Sequence, residues 1–568
     1  MPKSVRLENE MVIEKLKSKE FWSKVSKDDK YAFIIKSVQD MYDEYKRDEI
    51  PCIKYSERYE YYYNGNRGAG EREYFRRRKH LGSVAVLALL YPTEAYMSEV
   101  RDLIWAICDE YSWALPAHTN GTLEKDLVCI DLFSSETGFM LCELLKLFDG
   151  ELSTVIKERV KKEIFERIIT PFESTSQPWE FYSMNWNAVC SAGVCACFMY
   201  LKPDGFDAIS NRLYACVQRF VDGYPDDGTC LEGFGYWLYG FGYYVWFADM
   251  VKSFTNGEVD LFAEQKIKNI AGYAQRSFLY GPPDTVISFA DSSRTGKLDC
   301  ALQYYLHKLY PSEIECFDVE KMGIHGHNVP FIHFLRAFLH YTPDEPTKEF
   351  VLNDYYLANA QQVIVNRDGY SLAIKAGHNQ EQHNHNDVGH FIFTDQDGQA
   401  LCDIGAGRYT KEYHKTPERY TYFCTGSQGH SVPMFDGITQ MYGIEHFGIL
   451  QFDGKQIVID FEKAYDIKEL KKCRRVVDII DNGVLLTDTF DYQGKITERF
   501  VSLREPVMIN GCIRVGATQL TYDQKYKPII TLVKQPTHNL QDNCDYNVYC
   551  IDFCDVDKLF ALKITVQN

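Results

Sequence analysis

The chain has 568 residues, 45% of them hydrophobic and 25% charged, with a formal charge of −18. This length predicts two or three domains and supplies ample apolar material for a core. The charge excludes a nucleic-acid binder, which needs a basic footprint, and no run of about 18 apolar residues offers a membrane span.

Residues 1–80 are charged and helical in pattern, ending in Arg76-Arg77-Arg78-Lys79. Such a run reads as a solvated helix face or as the border of an anionic cleft. The N-terminus shows no apolar stretch of the secretory kind, and the 18 cysteines are scattered without CxxC pairs. They read as reduced, buried thiols, and the chain as cytoplasmic.

From Leu81 amphipathic helices follow one another: LGSVAVLALLY, SEVRDLIWAICDEY, TGFMLCELLKLF and STVIKERVKKEIFERII. Apolar residues recur at three- and four-residue spacing between short breaks. The break Trp113-Ala-Leu-Pro-Ala-His118-Thr-Asn120 gathers aromatic and polar groups at a helix end. There Trp113 and His118 either line a cleft or support the fold. Asp131 or Ser134 caps the helix that follows. Two later blocks stand out: Ser183-Met-Asn185-Trp186-Asn187, and Glu232-Gly-Phe-Gly-Tyr236-Trp237-Leu238-Tyr239-Gly240. On its own the second is an aromatic stripe at helical spacing, which ordinarily means core.

HYTPDEPTKEF, with two prolines and several charges, reads as a linker. Beyond it come the β-rich runs AQQVIVNR, YSLAIKAG, HFIFTD, GILQFDG, KQIVIDFE, RRVVDII and GVLLTDTF. Turn signals separate them, and Asp481-Asn482-Gly483 predicts a two-residue hairpin. The expected organisation is a helical segment over 1–80 joined to a helical domain over 81–345, then an antiparallel β-sandwich over 346–568.

The stretch Gly377–Phe391 holds His378, His383, His385 and His390, four of fifteen histidines, with Glu381 and Asp387. Buried imidazoles and carboxylates need partners. His385, with Asp403 and His430 from two later segments, predicts a two-histidine, one-carboxylate cation site, and His383 lies beside it. Zinc is favoured over manganese, in a structural role that fixes where His383 points.

His-Asn-His-Asn-Asp-Val-Gly-His-Phe, Asp403-Ile-Gly-Ala-Gly-Arg-Tyr409 and Gly429-His430-Ser-Val-Pro together resemble the C-terminal signature of the heparinase II/III-like polysaccharide lyases. The resemblance implies an N-terminal incomplete (α/α) toroid and a C-terminal antiparallel β-sandwich. It also implies β-elimination on uronate-containing glycans. That reaction must stabilise an enediolate, remove the C5 proton and protonate the leaving O4. By the match Asn185 donates to the substrate carboxylate, with Asn187 as second choice, and His383 holds the same group. Tyr239 is the expected catalytic tyrosine and Tyr236 its competitor.

Several relatives carry histidine where this chain has Trp186, so a single tyrosine would serve as both base and acid. That requires both protons on one face of the sugar, which favours glucuronate-type sites over iduronate. A free phenol titrates near 10, so Asn187, Arg408 or Arg419 would have to lower the tyrosine, unless His118 or His383 is the base. Trp186, Tyr409 and Tyr420 are expected substrate contacts, with Arg408, Arg419, His118 and Trp113 around them. The expected partner is an acidic oligosaccharide or polysaccharide, and a homo-oligomer is compatible with the sequence. Two other readings remain: a glycoside hydrolase using carboxylates among Asp131, Glu136 and Glu232, and a non-catalytic carbohydrate-binding protein.

Overall fold

The structure, a computed structural model, describes residues 13–119, 127–318, 321–324, 328–536 and 545–567. Asn120 of the Trp113 block lies outside the described residues. The chain forms two compact units. The helical unit comprises Met1–Gly223, Leu238–Ala271 and Leu298–Glu349, and the β unit comprises Tyr224–Trp237, Gly272–Lys297 and Phe350–Asn568.

In the helical unit the expected amphipathic runs fall in Gly68–Leu90, Glu94–Cys108, Leu132–Leu147 and Thr154–Ile164. Phe206–Asp222 shows why such runs pack on one side: Phe206, Ile209, Leu213, Cys216, Val217 and Phe220 form a single buried stripe. Leu132–Leu147 and Asn185–Leu201 are buried nearly all round, so they are interior helices. They press together at Gly193, where a Cβ would stand 2.4 Å from the Ser135 carbonyl oxygen. Glu143 on the first is paired with Arg336 at 2.7 Å, both side chains buried. Asp131 and Ser134 form the capping box that starts Leu132–Leu147.

Within the basic run at 76–79, Arg77 and Arg78 do not form a solvated face. Arg78 is wholly buried and Arg77 nearly so, and both pair with Glu110, at 2.9 Å and 3.1 Å. Arg78 also lies 3.3 Å over the Tyr74 ring. Burying two guanidiniums beside one carboxylate satisfies charge that would otherwise be very costly inside the fold.

Among the described residues the β unit contains antiparallel sheets of nine, five and four strands. Their inner faces share one core, to which Leu372, Phe393, Leu486, Phe500, Phe553 and Phe560 contribute. The seven expected runs are all strands, from Gln362–Arg367 to Gly483–Asp491. The hairpin pairs Ile480 with Gly483 across Asp481-Asn482. Gly483 is required there because a Cβ would lie 2.0 Å from the Ile564 carbonyl oxygen of the neighbouring strand.

One unit boundary lies at Glu349/Phe350, and two earlier segments, Tyr224–Trp237 and Gly272–Lys297, belong with the sheets. In Gly272–Lys297, Leu279, Ile287 and Phe289 form a small core with Ile364, Ala373 and Ile392. Gln399 also bonds to the Val286 carbonyl and Ser288 hydroxyl. The segment therefore serves as a cover for the five-stranded sheet. Among the described residues no helix is long and apolar enough to cross a membrane.

Candidate active site and metal centre

The helical unit holds one group of expected site residues. Asn185 opens Asn185–Leu201, is 4% exposed, and its Oδ1 has no hydrogen-bond partner among the described residues. The turn carrying Tyr239, Trp237–Phe241, is pressed against it, for a Cβ on Gly240 would stand 2.9 Å from Asn185 Cβ. Tyr239 is 9% exposed and lies beside the Glu136 carboxyl. Burial, then the nearby Glu136 carboxyl, drives the Tyr239 phenol well above its usual value. Burial likewise pushes the Glu136 carboxyl up to about 8, against the hydroxyls of Tyr243 and Tyr239. The expectation of a tyrosine lowered by Asn187 or an arginine therefore fails, because its ionisable neighbour is an acid.

His118 is oriented by Asp131, with Nδ1 to Oδ2 at 2.7 Å, and Arg67 approaches Nε2 at 3.4 Å. Its ring stacks on Phe133 and meets the half-buried Trp186 edge-on at 4.6 Å. Burial would raise Asp131, but His118 and the backbone N–H groups of Leu115 and Ser134 outweigh it and hold the carboxyl low. As both helix cap and histidine partner, Asp131 is committed, which removes it from a hydrolase pair.

Two members of the expected set have structural places instead. Trp113 is 1% exposed and its indole donates to the Ile107 carbonyl at 2.9 Å, so it is core, not a sugar contact. Asn187 is wholly buried and its amide nitrogen donates to the carbonyls of Trp179, Glu180 and Tyr182, fastening the preceding loop. Its donor is spent.

The β unit holds the second group. Tyr236 bonds to Tyr409 at 2.8 Å and to His383 Nδ1 at 3.2 Å, and its ring stacks on His383 at 4.3 Å. Burial, then Asp291, raises the Tyr236 phenol. His383 Nδ1 also meets Asp291 Oδ2 at 2.9 Å, and Nε2 lies 3.9 Å from Glu232. The His383 backbone is left-handed, with φ of 56°, a conformation that costs a non-glycine residue about 1 kcal/mol or more. Arg419 clamps it, donating to the His383 and Asn384 carbonyls and to Asp291. Arg419 is thus 6% exposed and consumed by protein groups, a correction to its expected place at the substrate. Arg408 is exposed, and Tyr420, half-buried, stacks on Tyr442 at 5.1 Å.

The remaining members of the histidine cluster are satisfied separately: His378 pairs with Glu381 at 2.9 Å, and Asp387 with Lys375 at 2.7 Å. His385, Asp403 and His430 form a buried group that could hold a metal ion, with candidate ligand atoms within 4.8 Å of one another. Hydrogen bonds set the tautomers. His385 Nε2 gives its proton to Asp291 Oδ1 at 3.0 Å, and His430 Nδ1 gives its proton to the Gly426 carbonyl at 3.0 Å. The two remaining lone pairs, His385 Nδ1 and His430 Nε2, face each other at 3.1 Å. Among the described residues Asp403 Oδ2 has no hydrogen-bond partner, and it lies 3.6 Å from His430 Nε2. Three acceptors pointed at one another repel unless a cation or proton lies between them. The spacing suits a tetrahedral ion with ligand distances of about 2.0–2.2 Å, so the residues fit a divalent metal. His390 takes the Ser431 N–H at Nδ1 and turns Nε2 toward Asp403 at 3.7 Å.

Asp291 was not foreseen from the sequence. It sits in Val286-Ile-Ser-Phe-Ala290-Asp291-Ser292, where the one signal is a lone acid closing an apolar run.

No protein-family model matches the sequence, and no curated protein matches it. Solved structures do. A heparinase III aligns with 94% of this chain and 83% of its own, at 13% identity and a TM-score of 0.57. A mutant of the heparan sulfate lyase HepC from Pedobacter heparinus gives 94%, 83%, 12% and 0.55. The chain has the heparinase III fold. The chondroitin AC lyase of Streptomyces coelicolor A3, solved with chondroitin sulphate, shares this fold over 96% of the chain and 82% of its own, at 8% identity and a TM-score of 0.53. The resemblance carried by the three sequence blocks therefore holds in the fold, as a helical part followed by antiparallel sheets.

Proposed function

We propose that the protein is a polysaccharide lyase that cleaves acidic, uronate-containing glycans by β-elimination. The observation that carries this reading is the heparinase III fold along 94% of the chain, because the structures sharing it are of heparin, heparan sulfate and chondroitin lyases. With the reading come that family's incomplete toroid and antiparallel sandwich.

Asn185, whose amide oxygen or nitrogen is uncommitted once the group is rotated, is assigned to the uronate carboxylate. His383 is assigned the same group through a protonated Nε2, with its Nδ1–H given to Asp291. Tyr239 is assigned removal of the C5 proton and protonation of O4. Tyr236 is less suited, because its hydroxyl is already shared by Tyr409 and His383. One tyrosine doing both steps demands syn elimination and so selects glucuronate-type over iduronate sites. The metal is assigned as zinc, from the two imidazoles and one carboxylate, and its role as holding the segments of His385, Asp403 and His430 together.

The test is incubation with heparan, chondroitin, hyaluronan and alginate oligosaccharides, reading the ultraviolet absorbance of the conjugated unsaturated uronate. Absorbance should grow on at least one glucuronate-containing substrate, and Tyr239→Phe should slow it about 10²–10⁴-fold. Cleavage without the chromophore would establish hydrolysis instead, and no cleavage of any uronate glycan would refute the reading.

A further inference from the structure

One carboxylate in the β unit's cluster, used by no part of the reaction above, accepts four hydrogen bonds. Asp291 is 7% exposed as a residue, and its carboxylate is wholly enclosed. Oδ1 accepts from His385 Nε2 at 3.0 Å and from the Tyr413 hydroxyl at 2.6 Å. Oδ2 accepts from His383 Nδ1 at 2.9 Å and from Arg419 Nη2 at 2.8 Å. Four donors fill the roughly four acceptor sites a carboxylate offers. The side chain is presented from a tight turn: Ala290 is left-handed at φ of 64°, and Ser292 N–H bonds back to the Ala290 carbonyl. Gly405, two residues past Asp403, packs over it, where a Cβ would come 2.7 Å from the Ser292 carbonyl oxygen.

We infer that Asp291 is a positioning residue that ties the orientation of the substrate-facing His383 to the cation site, by holding a metal ligand on one oxygen and His383 on the other. The inference rests on the reading above, in which His385 binds a cation and His383 meets substrate. The physical route is short. The Oδ1 bond fixes His385 in the tautomer that leaves Nδ1 free for a metal, as outer carboxylates do for ligating histidines. The Oδ2 bond takes the His383 Nδ1–H and so fixes the ring with Nε2, protonated, turned to the sugar's carboxylate. Arg419 and Tyr413 stop the carboxylate from rotating, so a rearrangement at His385 is passed to His383. An asparagine at 291 cannot do both tasks, because its NH₂ faces one of the two imidazoles with a second donor.

The experiment uses the full chain with ¹⁵N-labelled histidine. Zinc affinity is measured by competition with a chromophoric chelator, and the His383 ring nitrogens by NMR, assigned with His383→Ala, with and without zinc. Wild type should show a proton on His383 Nδ1 with zinc bound and a changed His383 signal after zinc removal. Asp291→Asn should bind zinc 10–100-fold more weakly, as loss of an outer partner does, whereas His383→Ala, which removes no ligand, should stay within about threefold. In Asp291→Asn the His383 signal should no longer follow zinc. A wild-type His383 signal indifferent to zinc overturns the inference whatever the folding of the variants. So does unchanged zinc affinity in Asp291→Asn. A wild type that binds neither zinc nor manganese overturns the cation site and this inference with it. Absence of an unsaturated uronate product with the zinc coupling intact would strike only the lyase reading.

Discussion

Replacing Glu136 by glutamine gives a test whose size follows from burial alone. Glu136 is 1% exposed, and the groups facing it are the hydroxyls of Tyr243 and Tyr239, the Asp131 carboxyl and the Arg78 guanidinium. Desolvation dominates, so the carboxyl titrates at about 8 in the fold against an ordinary 4.5. Between those values the folded chain holds a proton that the unfolded chain has released, and stability falls as pH rises. The contribution is complete below pH 4.5 and is lost as the pH climbs through about 8. At about 1.4 kcal/mol per tenfold change in acidity, the span has a ceiling of about 5 kcal/mol. Glutamine keeps the shape of the neutral acid and abolishes the titration. Thermal melts of wild type and Glu136→Gln from pH 5 to pH 8.5 should start close together and diverge in favour of the variant. At roughly 2 °C per kcal/mol the divergence is bounded by about 10 °C. Parallel curves across the range would show that Glu136 does not hold its proton in the fold. A wild type that gains on the variant with rising pH would reverse the sign and refute the argument outright.

Other outcomes follow from particular contacts. Gly193→Ala drives a methyl to within 2.4 Å of the Ser135 carbonyl, where neither interior helix can give way cheaply. It should destabilise the helical unit by about 1–3 kcal/mol in denaturant titrations, and an unchanged midpoint would contradict the packing. Asp403→Ala should abolish stoichiometric metal in elemental analysis. A chelator should lower the melting temperature of wild type but not of that variant, and equal metal content in both would dismiss the His385, Asp403 and His430 group.

Local patterns carried much of the architecture into the sequence. Alternation and turn residues marked the strands and the Asp481-Asn482 hairpin, and three- and four-residue spacing marked the helices, because both signals come from neighbours in the chain. The candidate metal-binding group was legible for a related reason: histidines and a carboxylate are costly to bury without a shared task. What local pattern could not report was which way a polar group turned once buried. Asn187 and Arg419 read as groups facing a substrate, Trp113 as either a cleft residue or a support for the fold, and the arginines at 77 and 78 as a solvated face or a cleft border. Each instead spends its donors inside the fold, on carbonyls or on Glu110 and Asp291.

The sequence by itself determined a helical part, a sheet-rich part and the side chains able to hold a cation, since these depend on composition and short-range periodicity. Only the tertiary structure decided that Asp291, 92 and 94 residues before the histidines it holds, stands between them. Only it moved Gly272–Lys297 onto the five-stranded sheet. The physical reason is the same in both cases: such contacts are made by the path of the chain through space, and nothing within a few residues of either partner records them.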